Sequence, residues 1–146
     1  MFGNIITALI SGALMSIQGV FNTRVNEKAG LWCTTTIVNA IALVCSIVAL
    51  LFFKDVNLVG LKEVNKLYLL GGVLGVGITL TVMLSMGQLG PAYATMIILI
   101  AQMVTSYLVD CFGWFDTPKV GFVWTKLIGV VVMIAGIIIF QLDLGK

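Results

Sequence analysis

The chain has 146 residues, of which 60% are hydrophobic and only 10% charged, and its mean hydropathy is +1.16. A water-soluble core of this size does not need so much apolar side chain, so the main solvent of the chain is lipid. Eight basic and six acidic residues leave a formal charge of +2, spread along the sequence without a basic patch, and no nucleic-acid partner is expected.

Histidine is absent, which removes the usual general base and the commonest metal ligand. Cys33, Cys45 and Cys111 are odd in number and lack the spacings of zinc sites or disulfide frameworks, so they read as small residues of apolar segments. The expectation is therefore a non-enzyme with no metal and no cofactor.

Charges and turn residues divide the chain into five apolar spans, at residues 4–23, 31–53, 67–88, 91–111 and 123–142. Each is long enough to cross a bilayer as a helix. The first begins without a basic leader region and without a small-residue cleavage pattern, and reads as a mature membrane helix. At 100° per residue Asn4, Thr7, Ser11, Gln18 and Asn22 fall on one stripe of it. The link 24–30 follows. The second span carries Thr35, Asn39 and Ser46 on one face. In the link 54–66, apolar and polar residues alternate as in a short interfacial amphipathic helix.

The third span carries Gly71, Gly75 and Thr79, a small-xxx-small face suited to helix packing. Gly72 and Gly77 fit packing or local flexibility equally. After the short link 88–91 the fourth span repeats the polar stripe with Thr95, Gln102 and Ser106, and Asp110 lies about one turn further on. The fifth has Lys126 near its start, where its stem can snorkel to the headgroups, and Gly129 and Gly136 two turns apart as a packing face. Trp32, Trp114, Phe115, Phe122 and Trp124 stand near span ends, as in an aromatic belt.

Polar side chains on lipid-embedded helices must face another helix or water. Interhelical glue, at about 0.6 kcal/mol per group, is the leading reading for Ser and Thr. For Gln18, Asn22 and Gln102 the balance reverses, because a primary amide has four hydrogen-bonding positions that helix packing rarely fills. Gln18, Asn22, Asn39 and Gln102 are the expected substrate contacts, with Ser106, Thr7 and Ser11 behind them on the same substrate-binding surface.

An odd number of spans puts the termini on opposite sides of the membrane. Five basic residues (Lys54, Lys62, Lys66, Lys119, Lys126) then share the N-terminal side and three (Arg24, Lys28, Lys146) the other. This slight bias favours a cytoplasmic N-terminus and fits either one fixed orientation or insertion both ways. Arg24 and Asp110 are the charges at span ends that face the polar stripes. They fall on opposite sides of one chain but on the same side in a dimer of oppositely inserted copies, where they can pair; Glu27, one turn from Arg24, and lipid phosphate are the alternative partners.

Gln18-Gly-Val-Phe-Asn22 with Arg24, Leu89-Gly90-Pro91-Ala92, Gln102, Asp110-Cys-Phe-Gly113, and Gly129 with Gly136 occur in an order that resembles the YdcZ-type inner-membrane exporters, a five-helix family of the drug/metabolite transporter superfamily. The likeness spans nearly the whole chain. Ala101 stands where the family usually has Gly, and Cys111 where it usually has His, so a proton-handling role for that His does not carry over. The resemblance implies an integral protein of the bacterial inner membrane, a small-molecule substrate, and a place between four-helix small multidrug resistance proteins, which act as antiparallel dimers, and ten-helix transporters built from inverted repeats. Residues 127–137 are similar to the dimer-forming last helix of the small multidrug proteins. The acid that those proteins carry in their first helix is missing here, since Gln18 and Asn22 are neutral.

The resulting expectation is an all-α membrane protein forming one five-helix domain over residues 1–146, embedded in membrane lipid and acting as an antiparallel, dual-topology homodimer. It would export a neutral, zwitterionic or weakly charged small molecule by alternating access, through a cavity formed between subunits by helices one to four. The rival is a non-transporting structural subunit that is completed by a different chain. A passive channel is disfavoured, because nothing resembles a selectivity filter.

Overall fold

The computed structural model describes residues 2–53 and 64–143. Among these, five helices are long and apolar enough to cross a membrane, matching the five expected spans. They are α1 (Phe2–Ala29), α2 (Leu31–Phe53), α3 (Gly71–Leu89), α4 (Pro91–Phe112) and α5 (Trp124–Asp143). A 3₁₀ turn, Lys66–Leu70, leads into α3, and a second, Trp114–Asp116, follows α4. Most of the link expected to be an amphipathic helix, 54–63, lies outside the described residues.

One boundary differs from the sequence reading. Residues 24–29 belong to α1, so the connection to α2 is Gly30 alone. Arg24, Glu27 and Lys28 had marked the end of the span, but charges end a membrane span without ending a helix, and no helix breaker occurs before Gly30. With 28 residues, α1 is about 42 Å long at 1.5 Å per residue, against a hydrocarbon thickness of about 30 Å. Its charged last turns therefore reach the headgroups.

Gly30 has φ +82°, a left-handed conformation that favours glycine. Its N–H donates to the Asn26 carbonyl at 2.9 Å, and its own carbonyl accepts from the Thr34 N–H at 3.0 Å. One residue thus closes one helix and opens the next. Gly90 has the same φ, with ψ 154°, and precedes Pro91 at the first position of α4, where the missing N–H of proline costs no helical bond.

The chain separates into two compact units, Met1–Gln88 and Leu89–Lys146. In the first unit α1 and α2 form a hairpin about Gly30, and α1 also meets α3. A Cβ added to Gly19 would lie 3.2 Å from Val82 Cγ1 and 2.7 Å from Met86 Sδ, and one on Gly87 would lie 3.8 Å from Thr23 Cγ2. Both helices advance in sequence along this contact, so they run parallel, as alternating membrane crossings require. The buried residues of the described part of this unit are Gly19, Asn22, Thr23, Thr34, Thr35, Met83 and Met86. Small and flexible groups fill the interior, while large apolar side chains such as Leu9, Phe21, Ile41 and Leu74 stay exposed to lipid or to a partner. Residues 2–15 of α1 and 40–53 of α2 are exposed throughout, so this unit is packed at its Gly30 end and open at the other.

In the second unit α4 and α5 are antiparallel, with Tyr107 opposite Val123 at one end and Met96 near Phe140 at the other. Gly113 adopts the left-handed cap with φ 66°, and its N–H returns to the Val109 carbonyl. The loop is then fastened back onto α4: the Val120 N–H donates to the Asp110 carbonyl at 2.9 Å, and Thr117 Oγ1 to the Val109 carbonyl at 3.4 Å.

Candidate functional site

The hydroxyls of the helices are satisfied close to home. Thr7, Ser16, Thr23, Thr34, Thr35, Thr36, Thr79, Thr81 and Thr95 each donate to the carbonyl four residues earlier, at 2.7–3.1 Å. Ser46 and Ser85 reach back three residues. A hydroxyl bonded this way needs neither water nor a second helix. At these positions, where interhelical glue is the leading sequence reading, the hydroxyl proton is bonded within its own helix.

The amides divide. Asn39 is half-buried, and its Nδ2 donates to the Thr35 carbonyl at 2.8 Å. Asn22 is 7% exposed and lies in the packed end of the first unit. Gln18, one turn earlier, is exposed, and so is Gln102 on α4. Among the described residues no hydrogen bond reaches the side chains of Gln18, Asn22 or Gln102. A glutamine reaching back along its own helix must fold a long flexible chain for one bond and still leaves its other positions open. An amide left this way within the hydrocarbon would require a polar neighbour.

Arg24 is exposed, with Nη1 3.2 Å from both carboxylate oxygens of Glu27. In the isolated chain its partner is therefore the nearby acid.

Further along α4, Ser106 and Asp110 line a pocket of about 300 Å³ together with Met103, Tyr107, Lys126 and Val130. Tyr107 is held from both sides: its hydroxyl donates to the Val123 carbonyl at 3.2 Å and accepts the Val123 N–H at 2.8 Å. Lys126 Nζ stands 5.0 Å above its ring, a cation–π contact. Phe122 packs beside Tyr107 and edge-on to Trp124, a cluster of the kind expected at an aromatic belt. Sequence reasoning read Lys126 as an anchor and did not join it to Ser106 and Asp110, because only the antiparallel register of α4 and α5 brings 107 opposite 123. A second pocket of about 240 Å³ lies against Met96, Leu99, Met133, Gly136, Ile137 and Phe140.

The packing glycine that the sequence reading passed over is Gly19, which stood in a quoted motif without a role. A lone small residue carries no periodic signal. At the expected packing faces a Cβ on Gly71, Gly75, Gly129 or Gly136 meets nothing within 4 Å among the described residues. Gly129 and Gly136, expected at a dimer contact, are free for one.

Among the described residues, five helices long and apolar enough to cross a membrane, with few buried side chains between them, define a multi-pass integral membrane protein. Over residues 4–139 the chain matches the family described as "Putative inner membrane exporter, YdcZ", and it belongs to that family. The match bears out the resemblance read from the motifs, together with an inner-membrane location and an exporter class. No curated protein and no solved structure matches the chain.

Proposed function

We propose that the protein exports a small molecule by alternating access, as a homodimer of two oppositely inserted copies. The observation that supports this reading most directly is the set of amides, Gln18, Asn22 and Gln102, which have no hydrogen-bond partner among the described residues although their helices lie in lipid. A second copy with a water-filled cavity supplies what they lack. In this reading Gln18, Asn22, Asn39, Gln102 and Ser106 contact the transported molecule, and the open glycine face at Gly129 and Gly136 packs against its counterpart. Two asymmetric conformations of the dimer exchange around the shared site. Arg24 of one copy then lies on the same side as Asp110 of the other, and the two pair when Arg24 leaves Glu27.

The test is labelling of single cysteines at positions 18, 22, 39 and 102, with Cys33, Cys45 and Cys111 replaced, by a membrane-impermeant reagent applied from each face. Labelling of all four from both faces supports the cavity. Protection of all four, with co-purification of a different small membrane protein, overturns it in favour of a structural subunit.

A further inference from the structure

We propose that the pocket at the loop end of α4 and α5 is a binding site for a small zwitterion, with a cationic group at Asp110 and an anionic group at Lys126. Three uncommitted polar groups meet there. The Ser106 hydroxyl makes no hydrogen bond among the described residues, in contrast to Thr95 on the same helix, which donates to the Pro91 carbonyl at 2.7 Å. The Asp110 carboxylate has no ion partner among the described residues. Lys126 contributes an ammonium whose neighbour is a ring face rather than an acid.

Opposite charges lining one pocket of low polarity would ordinarily close into an ion pair. Among the described residues no ion pair joins them; the ammonium stands over the Tyr107 ring, whose hydroxyl is bonded twice to Val123. The result is two complementary charges that line one pocket, unpaired with each other, together with the apolar Met103 and Val130. A net cation or a net anion would satisfy one group and meet repulsion at the other, whereas a molecule carrying both charges satisfies both. About 300 Å³ is at the lower end of ligand pockets, a volume suited to an amino acid or to the headgroup of an ethanolamine phospholipid. The site needs one chain only and does not rest on the dimer proposed above; Asp110 is open to a ligand while Arg24 is engaged by Glu27.

The experiment uses the purified full chain in nanodiscs. Binding of L-leucine and L-phenylalanine is compared with that of their methyl esters, which keep only the positive charge, and of their deaminated acids, which keep only the negative one. Retention of zwitterionic ethanolamine phospholipid against anionic phosphatidylglycerol is followed by native mass spectrometry. The expected result is at least tenfold tighter binding of the zwitterion than of either analogue, or selective retention of the ethanolamine lipid. That preference is lost in Asp110→Asn and in Lys126→Gln, and circular dichroism checks that both variants remain folded. Amino-acid binding identifies a soluble ligand and lipid retention alone a headgroup; both support a zwitterion site. Equal binding of zwitterion and single-charge analogues with no lipid preference, or a preference unchanged in both variants, overturns it.

Discussion

Gly19 on α1 and Met86 on α3 are in such close contact that a Cβ on the glycine would lie 2.7 Å from both Sδ and Cε of the methionine. The atoms in the way are the end of a flexible side chain, with Val82 Cγ1 the next at 3.2 Å. Gly19→Ala should therefore be tolerated with a loss of about 1 kcal/mol as Met86 swings aside, and Gly19→Leu should separate the helices and cost several times more. Unfolding of the two variants in mixed micelles measures the difference. Equal behaviour would mean that α1 and α3 do not meet there.

Gly30→Ala forces a Cβ into a left-handed backbone, at a cost of about 1–2 kcal/mol. Gly129→Ala, in the middle of α5 with nothing within 4 Å, should leave the isolated chain as stable as before or more so by up to about 1 kcal/mol, since alanine is the better helix former. The same unfolding assay separates them.

Gly129→Leu should leave the fold intact while weakening self-association, if the open face of α5 is where two copies meet. Cross-linking in membranes and size-exclusion of the purified protein give the oligomeric state. An unchanged dimer would move the contact elsewhere.

Gln102→Leu removes an exposed polar group that has no bond to lose among the described residues. The isolated chain should keep its stability, whereas export of the substrate should fall by an order of magnitude or more. A stability loss above about 1 kcal/mol without loss of transport would instead make Gln102 a packing residue.

Tyr107→Phe keeps the ring beneath Lys126 and deletes the hydroxyl that both accepts from and donates to Val123. The Val123 N–H and carbonyl lose their bonds to that hydroxyl, so a loss of about 1–2 kcal/mol is expected, together with faster proteolysis between 113 and 123. Limited digestion followed by mass spectrometry reads the second effect.

The five crossings could be read from the chain because lipid allows few solutions: an apolar run of about 20 residues must be a helix. The end of α1 could not, since Arg24, Glu27 and Lys28 mark where hydrocarbon stops and do not interrupt the helix. Among candidate site residues, the expectation for Gln18, Asn22 and Gln102 rests on amide chemistry alone, and the bonding of the neighbouring hydroxyls within their own helices sharpens the contrast. Gly19 and the grouping of Lys126 with Asp110 depended on which turn of one helix lies against which turn of another. That relation is set by contacts far apart in sequence, and periodicity within one span does not encode it.

The single-residue joint at Gly30 also bears on how the chain enters the membrane. A joint with no slack makes α1 and α2 one hairpin, so the first helix to choose a direction commits the second to the reverse. Arg24, Glu27 and Lys28, carried on the tip of that hairpin, cross or stay behind together.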